Sequence, residues 1–392
     1  MSNPATYGRP GSPEDVARLG EIVSIAFGMP PADISSYFAA LGAENLRTLQ
    51  DGGELAGGLG IVPMGQFFGG RSVRMCGVSG VAIAPHARGE GRATRLMTEC
   101  LRELRSSGFP LSGLYPATQP VYRRAGYEQA GARFEMTGPL DALPRSRHSL
   151  RMRPFRAEDL PAVQALYTSQ ARSRSGFLDR GPYAWARVQL FRGLVARGYV
   201  AEEGGEIAAY AFVSTVHKPT FQNDLLITDW CARSEAGWRH LVSFLREHGP
   251  IYESVRWSGS ESDPVLLLVD EQRFTAKVSH WWMLRILDVG AALGARGYPS
   301  GLRGEVHLDV SDELFAENSG RYVLEVSGGE GRVKRGGTGA LQCDVRSLAA
   351  IYSGHRSAAQ LASVGRVRAD AAALAAAREL FAGPTPAMVE MF

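Results

Sequence analysis

Apolar positions in the first 150 residues alternate between a helical and a strand period. Val16, Leu19, Ile22 and Val23 recur at helical spacing, just after Ser12-Pro13, which reads as an N-cap followed by Pro at the first helical position. Residues 47–49, 55–62 and 71–75 read as strands separated by glycine pairs, and 78–84 is the strongest strand. Leu96, Met97, Cys100, Leu101 and Leu104 predict an amphipathic helix over 92–106. A strand over 110–115, a short helix over 119–124 and a strand over 133–136 complete the unit. The polar run 144–148 reads as a linker.

This pattern restarts. Arg9-Pro10 precedes Glu14-Asp15-Val16, and Arg153-Pro154 precedes Glu158-Asp159-Leu160 at the same spacing, so R-P-x-x-x-E-D is repeated at a domain-sized distance. Each copy leads into apolar residues at helical spacing, in the second Leu160, Val163 and Leu166. The acidic pair sits in the first turn, where the helix dipole favours it. Strands follow at 199–202, 207–213 and 225–230, then a helix over 238–247 and strands at 254–257 and 265–268. Near 285–293 the pattern changes. Partly alternating strands at 302–310 and 322–326 give way to alanine-rich helices at 345–353, 358–363 and 369–381. The chain therefore reads as a tandem duplication followed by an α+β domain of ordinary size.

Composition narrows the function classes. With 45% hydrophobic and 21% charged residues the chain is an ordinary globular protein. A net charge of +3 gives no electrostatic footprint for nucleic acid. No run of 18 apolar residues suggests a membrane span. The four cysteines, Cys76, Cys100, Cys231 and Cys343, form no CxxC pair, and the histidines show no HExxH spacing, so no metal site is expected. Free thiols without an export signal point to the cytoplasm.

The chemistry-bearing stretch runs from Val78 to Ala93. A buried-type strand ends at Pro85, and R-G-x-G-x-A then opens an amphipathic helix. Backbone N–H groups from Arg88 to Ala93, together with the positive helix end, suit a pyrophosphate, and Arg88 and Arg92 add charge. A dinucleotide turn is disfavoured, because the motif follows several strands and lacks the third glycine. Arg95, Arg102 and Arg105 read as a solvated helix face, His86 as a loop residue, Tyr127 as packing and Trp281-Trp282 as an interdomain contact.

V-x-x-V-A-I-x-P-x-x-R-G-x-G-x-A resembles the acyl-CoA motif of the GNAT acetyltransferases, and Tyr122 to Tyr127 resembles their closing Y-x-x-x-G-[FY]. Domain order further resembles the enhanced-intracellular-survival (Eis) family over the full length, including 384–392. The resemblance implies a mixed α/β and α+β class. Two tandem GNAT folds, with mixed central sheets flanked by helices, would occupy 1–148 and 149–285, the second degenerate. A sterol-carrier-like α+β domain would occupy 286–392.

By the same resemblance Tyr122 is the general acid and the carboxylate of Phe392 the general base. Val81, Ala82 and Ile83 hold the pantetheine arm, and Arg88, Gly89, Glu90, Gly91, Arg92 and Ala93 cradle the pyrophosphate of acetyl-CoA. Phe27, Asp33, Tyr37 and Glu390 are candidates for the acceptor pocket. The implied acceptors are polyamines, including aminoglycosides, and the implied assembly is a hexamer. Lysines or N-termini of peptides are the second enzymatic reading, and a lipid carrier acting through the last domain is a third. Two positions depart from the pattern. Ala117 stands where some relatives carry Ser, and Ala387 follows Pro386 where many carry Trp. The second copy lacks the paired glycines and clustered arginines after its corresponding strand, so one active site per chain is expected.

Overall fold

A computed structural model describes residues 5–147, 150–191, 193–219 and 221–392. The linker expected at 144–148 and the boundary at 148/149 thus fall partly outside the described residues. The chain divides into two compact units. One takes the chain up to Gly131 together with Trp281–Pro384 and Phe392. The other takes Ala132–His280 and Thr385–Met391. Among the described residues no helix is long and apolar enough to cross a membrane.

In the first unit a sheet runs in the order Thr6–Gly8, Leu46–Asp51, Glu54–Phe68, Arg71–Ile83, Leu111–Leu114, with residues from Trp281 on of Thr275–Ile286 at its end. All neighbours are antiparallel except Arg71–Ile83 with Leu111–Leu114. The helix Pro13–Phe27 begins at Ser12, whose side chain accepts from the Asp15 N–H, and it buries Leu19, Ile22 and Val23. Each of those side chains contributes about 1.5–3 kcal/mol by leaving water. Pro31–Leu41 and Arg92–Ser106 also pack on this sheet. The two strands expected at 71–75 and 78–84 are one strand, because Gly77 lies within the ladder opposite Val62 and makes no turn.

The same unit holds a second, five-stranded sheet in the order Glu330–Arg335, Gly320–Ser327, Arg303–Ser311, Leu341–Asp344, Val367–Ala369. Strict alternation in Arg303–Ser311 puts Val306, Leu308 and Val310 inside and leaves Glu305, His307 and Asp309 on the other face. Helices Val345–Ser353 and Ala371–Leu380 begin at Asp344 and Asp370, whose carboxylates accept from backbone N–H groups in the first turn. Two buried ion clusters fix this part of the unit. Arg285 donates to both oxygens of Asp312 at 2.7 and 2.8 Å. Glu128 receives Arg123, Arg346 and Arg366 at 2.8–3.0 Å. Arg105, expected on a solvated face, instead reaches Asn318 at 3.0 Å. Trp282 is fully buried, and Trp281 lies against the ring of His355.

The second unit repeats the first arrangement. From Ala132 on, the strand Glu128–Pro139 is followed in the sheet by Tyr252–Gly259, Asn223–Ala232, Glu206–Val216, Arg197–Glu203 and Arg151–Pro154. Again one neighbouring pair is parallel, Asn223–Ala232 with Tyr252–Gly259. The repeated R-P-x-x-x-E-D has a structural basis. Asp15 accepts from the Gly11 N–H at 2.8 Å, and Asp159 accepts from the Arg156 N–H at 2.7 Å while pairing with Arg153. Each aspartate thus fastens the turn that leads into its helix. The strand expected at 265–268 is a 3-10 turn, Pro264–Leu267, capped by Asp263. Its four apolar residues are too few to fix a period. The segment Thr385–Met391 joins this unit through a bridge between Ala132 and Ala387 and through the Ala387 N–H donating to Ser175.

Candidate active site

Two parallel strands part where the acyl-CoA motif begins. Arg71–Ile83 pairs with Leu111–Leu114 at Met75/Leu111, Cys76/Ser112 and Gly77/Gly113, and no further. Beyond Gly77 the strand runs on to Ile83, still paired with Glu54–Phe68 on its other side. The register shifts between Gly58 and Gly60, so Gly80 and Val81 face Leu59 alone. Val81, Ala82 and Ile83 therefore present backbone groups at an edge that Leu111–Leu114 no longer covers. Tyr37 braces this segment, with its hydroxyl 2.6 Å from Ser79 Oγ.

The turn that follows holds two left-handed glycines before an uncapped helix. Gly89 and Gly91 adopt φ of 89° and 75°, and a Cβ at either would meet nothing within 4 Å. Conformation requires these glycines, and the space beside them is open. Gly91 leads into Arg92–Ser106, a helix with no side-chain cap and no acidic residue in its first turn. Its first N–H groups and positive dipole end thus remain available to phosphate, so the residues fit the diphosphate of acetyl-CoA. The arginines are more tied down than a free phosphate clamp. Arg92 donates to Asp51 at 2.6 Å, pairs with Glu90 at 2.7 Å and caps the Ala87 carbonyl at 3.1 Å. Arg88 reaches back to the Ile83 carbonyl at 3.3 Å. Ala93 lies half-buried in the first turn.

Tyr122 sits on the short helix Gln119–Arg124, with its ring edge-on to Tyr127 at 6.2 Å. Burial alone pushes its hydroxyl up to about 12, so it is protonated throughout the neutral range. Tyr127 is anchored instead, 2.7 Å from Ser112 Oγ, which donates to the Cys76 carbonyl. Phe392 belongs to this unit. Its ring lies edge-on to Tyr115 at 6.0 Å and directly over Gly77, where any Cβ would come within 2.5 Å of it. Gly77, Tyr115 and Phe392 therefore meet where the two parallel strands separate.

Among the other acceptor candidates, Phe27 is 45% exposed at the end of its helix, and Asp33 is exposed in the first turn of Pro31–Leu41. Glu390 lies in the second unit. Arg180 donates to it at 2.5 Å and Tyr167 at 2.9 Å. The same arginine, almost wholly buried, holds Asp229 through two bonds of 2.6 and 2.9 Å, and its guanidinium stacks 3.6 Å from the Tyr167 ring. Two carboxylates thus clasp one guanidinium and tie down the segment just before Phe392. No local motif marks Arg180 and Asp229, although an aspartate inside the apolar run 225–231 is a signal of a buried ion pair.

Sequence comparisons agree with this geometry. Residues 8–130 match a family described as an acetyltransferase (GNAT) domain, residues 176–286 match a second GNAT domain family, and 289–389 match a sterol carrier protein domain. An uncharacterized N-acetyltransferase of Streptomyces coelicolor is 30% identical over 76% of both chains. The chain belongs to the Eis family of GNAT N-acetyltransferases. The N-acetyltransferase Eis of Mycobacterium tuberculosis is 28% identical over 74% of each chain. A solved structure, a GCN5-related N-acetyltransferase from Anabaena variabilis, superimposes with a TM-score of 0.95 at 36% identity. That match covers 99% of this chain and 100% of the other. This Eis-family chain is therefore an acyltransferase with two GNAT folds and a sterol-carrier-type domain.

The second GNAT fold closes what the first leaves open. Its corresponding helix, Glu235–Arg246, is capped by Ser234, whose side chain accepts from the Gly237 N–H at 3.1 Å. Glu235 adds negative charge in the first turn. This helix end therefore offers an anion fewer free N–H groups and an acidic neighbour.

Proposed function

We propose that the enzyme transfers acetyl from acetyl-CoA directly to primary amines of polyamine acceptors, including aminoglycosides, at one site in the first GNAT fold. The observation that supports this reading is that the uncapped helix end, the parted strands, Tyr122 and Phe392 all belong to one unit, with the Phe392 ring over Gly77 where the strands part. Acetyl-CoA supplies an acyl thioester whose leaving group is a thiolate. Backbone groups of Val81, Ala82 and Ile83 hold its pantetheine arm, and the Gly89–Gly91 turn holds its diphosphate.

The carboxylate of Phe392 takes a proton from the amine as its nitrogen bonds to the carbonyl carbon. Tyr122 gives its proton to sulfur as the carbon–sulfur bond breaks. A phenol near 12 is a weaker acid than a thiol near 8.5, so full proton transfer to the free thiolate is uphill by about 5 kcal/mol, and transfer to the thioester sulfur before cleavage is costlier still. Tyr122 therefore acts only as charge gathers on sulfur, which is when transition-state stabilisation counts.

The domain division at 1–148, 149–285 and 286–392, a hexameric assembly, cytoplasmic residence and the aminoglycoside class rest on the family resemblance. The reading is tested by thiol release from acetyl-CoA against a panel of amines, with product masses. Acetylated aminoglycosides are expected. Release with lysine peptides alone would move the acceptor class, and absence of acetyl-CoA binding would overturn the site.

A further inference from the structure

The second GNAT fold keeps the parted strands although its helix end is sealed. Asn223–Ala232 and Tyr252–Gly259 stay paired to Ile227/Trp257, and the first strand then runs on to Ala232 without that partner. A cavity of about 180 Å³ opens there, lined by Thr228, Trp230 and Cys231 from one strand, Trp257 and Ser258 from the other, and Asp263. In the first fold the corresponding gap lies beside the anion cradle. Here the corresponding helix end carries Ser234, which accepts from the Gly237 N–H, and Glu235 in its first turn, which disfavours a phosphorylated occupant.

What remains is aromatic. Trp230 lies edge-on to Trp238 at 5.4 Å and to Trp257 at 5.1 Å, and all three line the cavity together with Tyr167. Such walls favour a flat π-system in offset or edge contact. Two acceptors, Asp263 and Thr228, lie among them, and Arg174 also lines the cavity. Asp263 takes the Trp257 ring N–H at 2.9 Å and the Val265 N–H at 3.1 Å, which leaves further lone pairs on its carboxyl. Thr228 donates its hydroxyl to the Val188 carbonyl at 2.7 Å and so keeps its own lone pairs. Asp229 is already neutralised by Arg180. Arg174, the cation in the lining, donates to the Ser262 carbonyl at 3.1 Å and lies 6.0 Å from the Phe177 ring. For scale, an engineered cavity of about 150 Å³ in an unrelated protein takes benzene.

We propose that the wedge of the second GNAT fold is a second ligand site, taking a small uncharged aromatic molecule of one or two rings that carries an N–H or O–H donor. Its occupant touches Tyr167 and Asp229, which also belong to the clasp on Arg180 and Glu390, and Val389 of the terminal segment. Its test reads binding and does not use activity.

Indole is the probe, titrated calorimetrically into the full-length protein. One equivalent per chain is expected, with a Kd at or below about 1 mM. Ala171→Leu, which fills the cavity from the helix Leu160–Ala171, is expected to weaken binding at least tenfold while acetyl-CoA binding stays unchanged. Trp238→Ala, on a half-buried helix face, is the second variant and is judged alone if Ala171→Leu does not fold. It is expected to weaken binding several-fold. Absence of saturation by about 5 mM, or equal affinity in wild type and the folded variants, would overturn the proposal.

Discussion

Two helix ends in one chain start the same fold's helix in opposite ways. In the first GNAT fold Gly91 leads into Arg92–Ser106 with no side-chain cap and no acidic residue in the first turn. In the second, Ser234 satisfies the Gly237 N–H and Glu235 adds negative charge. The parted parallel strands are present in both. What separates the uncapped helix end from the capped one is thus a few residues at one turn, while the strands part in both. The stable solution for a helix end is to satisfy its own N–H groups. A binding site must leave them unsatisfied and fill the need with its ligand.

The comparison breaks most visibly at Tyr122. Tyr122→Phe is expected to lower kcat by about 10²–10⁴-fold, with acetyl-CoA affinity retained in a binding titration. Buried hydroxyls in the second fold, such as that of Tyr210, should show no such effect when removed, beyond stability. Next in size is the clasp. Arg180→Ala leaves Asp229 and Glu390 buried without their cation and is expected to cost about 3–5 kcal/mol of stability, read as a lowered denaturation midpoint. Activity should fall with it, because the segment before Phe392 loses its anchor.

Exchanging the helix ends sharpens the contrast. Gly91→Ser copies the second fold's cap into a position at φ 75° and is expected to weaken acetyl-CoA binding about tenfold, since a left-handed non-glycine costs about 1–2 kcal/mol. Ser234→Ala should cost about 1 kcal/mol of stability and leave acetyl-CoA binding untouched. The smallest expected effect concerns pH. Burial pushes the Tyr122 hydroxyl up to about 12, so ionisation, which would remove its proton, begins only as pH approaches that value. A pH–rate profile should show no falling limb from Tyr122 between pH 8 and about 10.

Much of this was legible in the chain because the chemistry is local. R-G-x-G-x-A at 88–93 fixes a turn and a helix start within six positions, and Ser234-Glu235 reveals the opposite choice just as locally. Strands read separately at 71–75 and 78–84 are one, and Gly77 between them, having no side chain, makes room for Phe392, more than 300 positions away. The run 265–268 was too short to tell a strand from a turn. The clasp was invisible for another reason. Arg180 meets Asp229 at a separation of 49 residues and Glu390 at 210, and only the fold brings them together. Glu390 was expected near the acceptor, and its carboxylate accepts from Arg180 and Tyr167.

The most direct test is the stoichiometry of acetyl-CoA binding to the full-length protein, measured by equilibrium titration. One molecule per chain, weakened by Gly91→Ser and indifferent to Ser234→Ala, is the predicted result. Two molecules per chain, or one whose affinity follows Ser234 and ignores Gly91, would contradict the assignment of the cradle to the first fold alone.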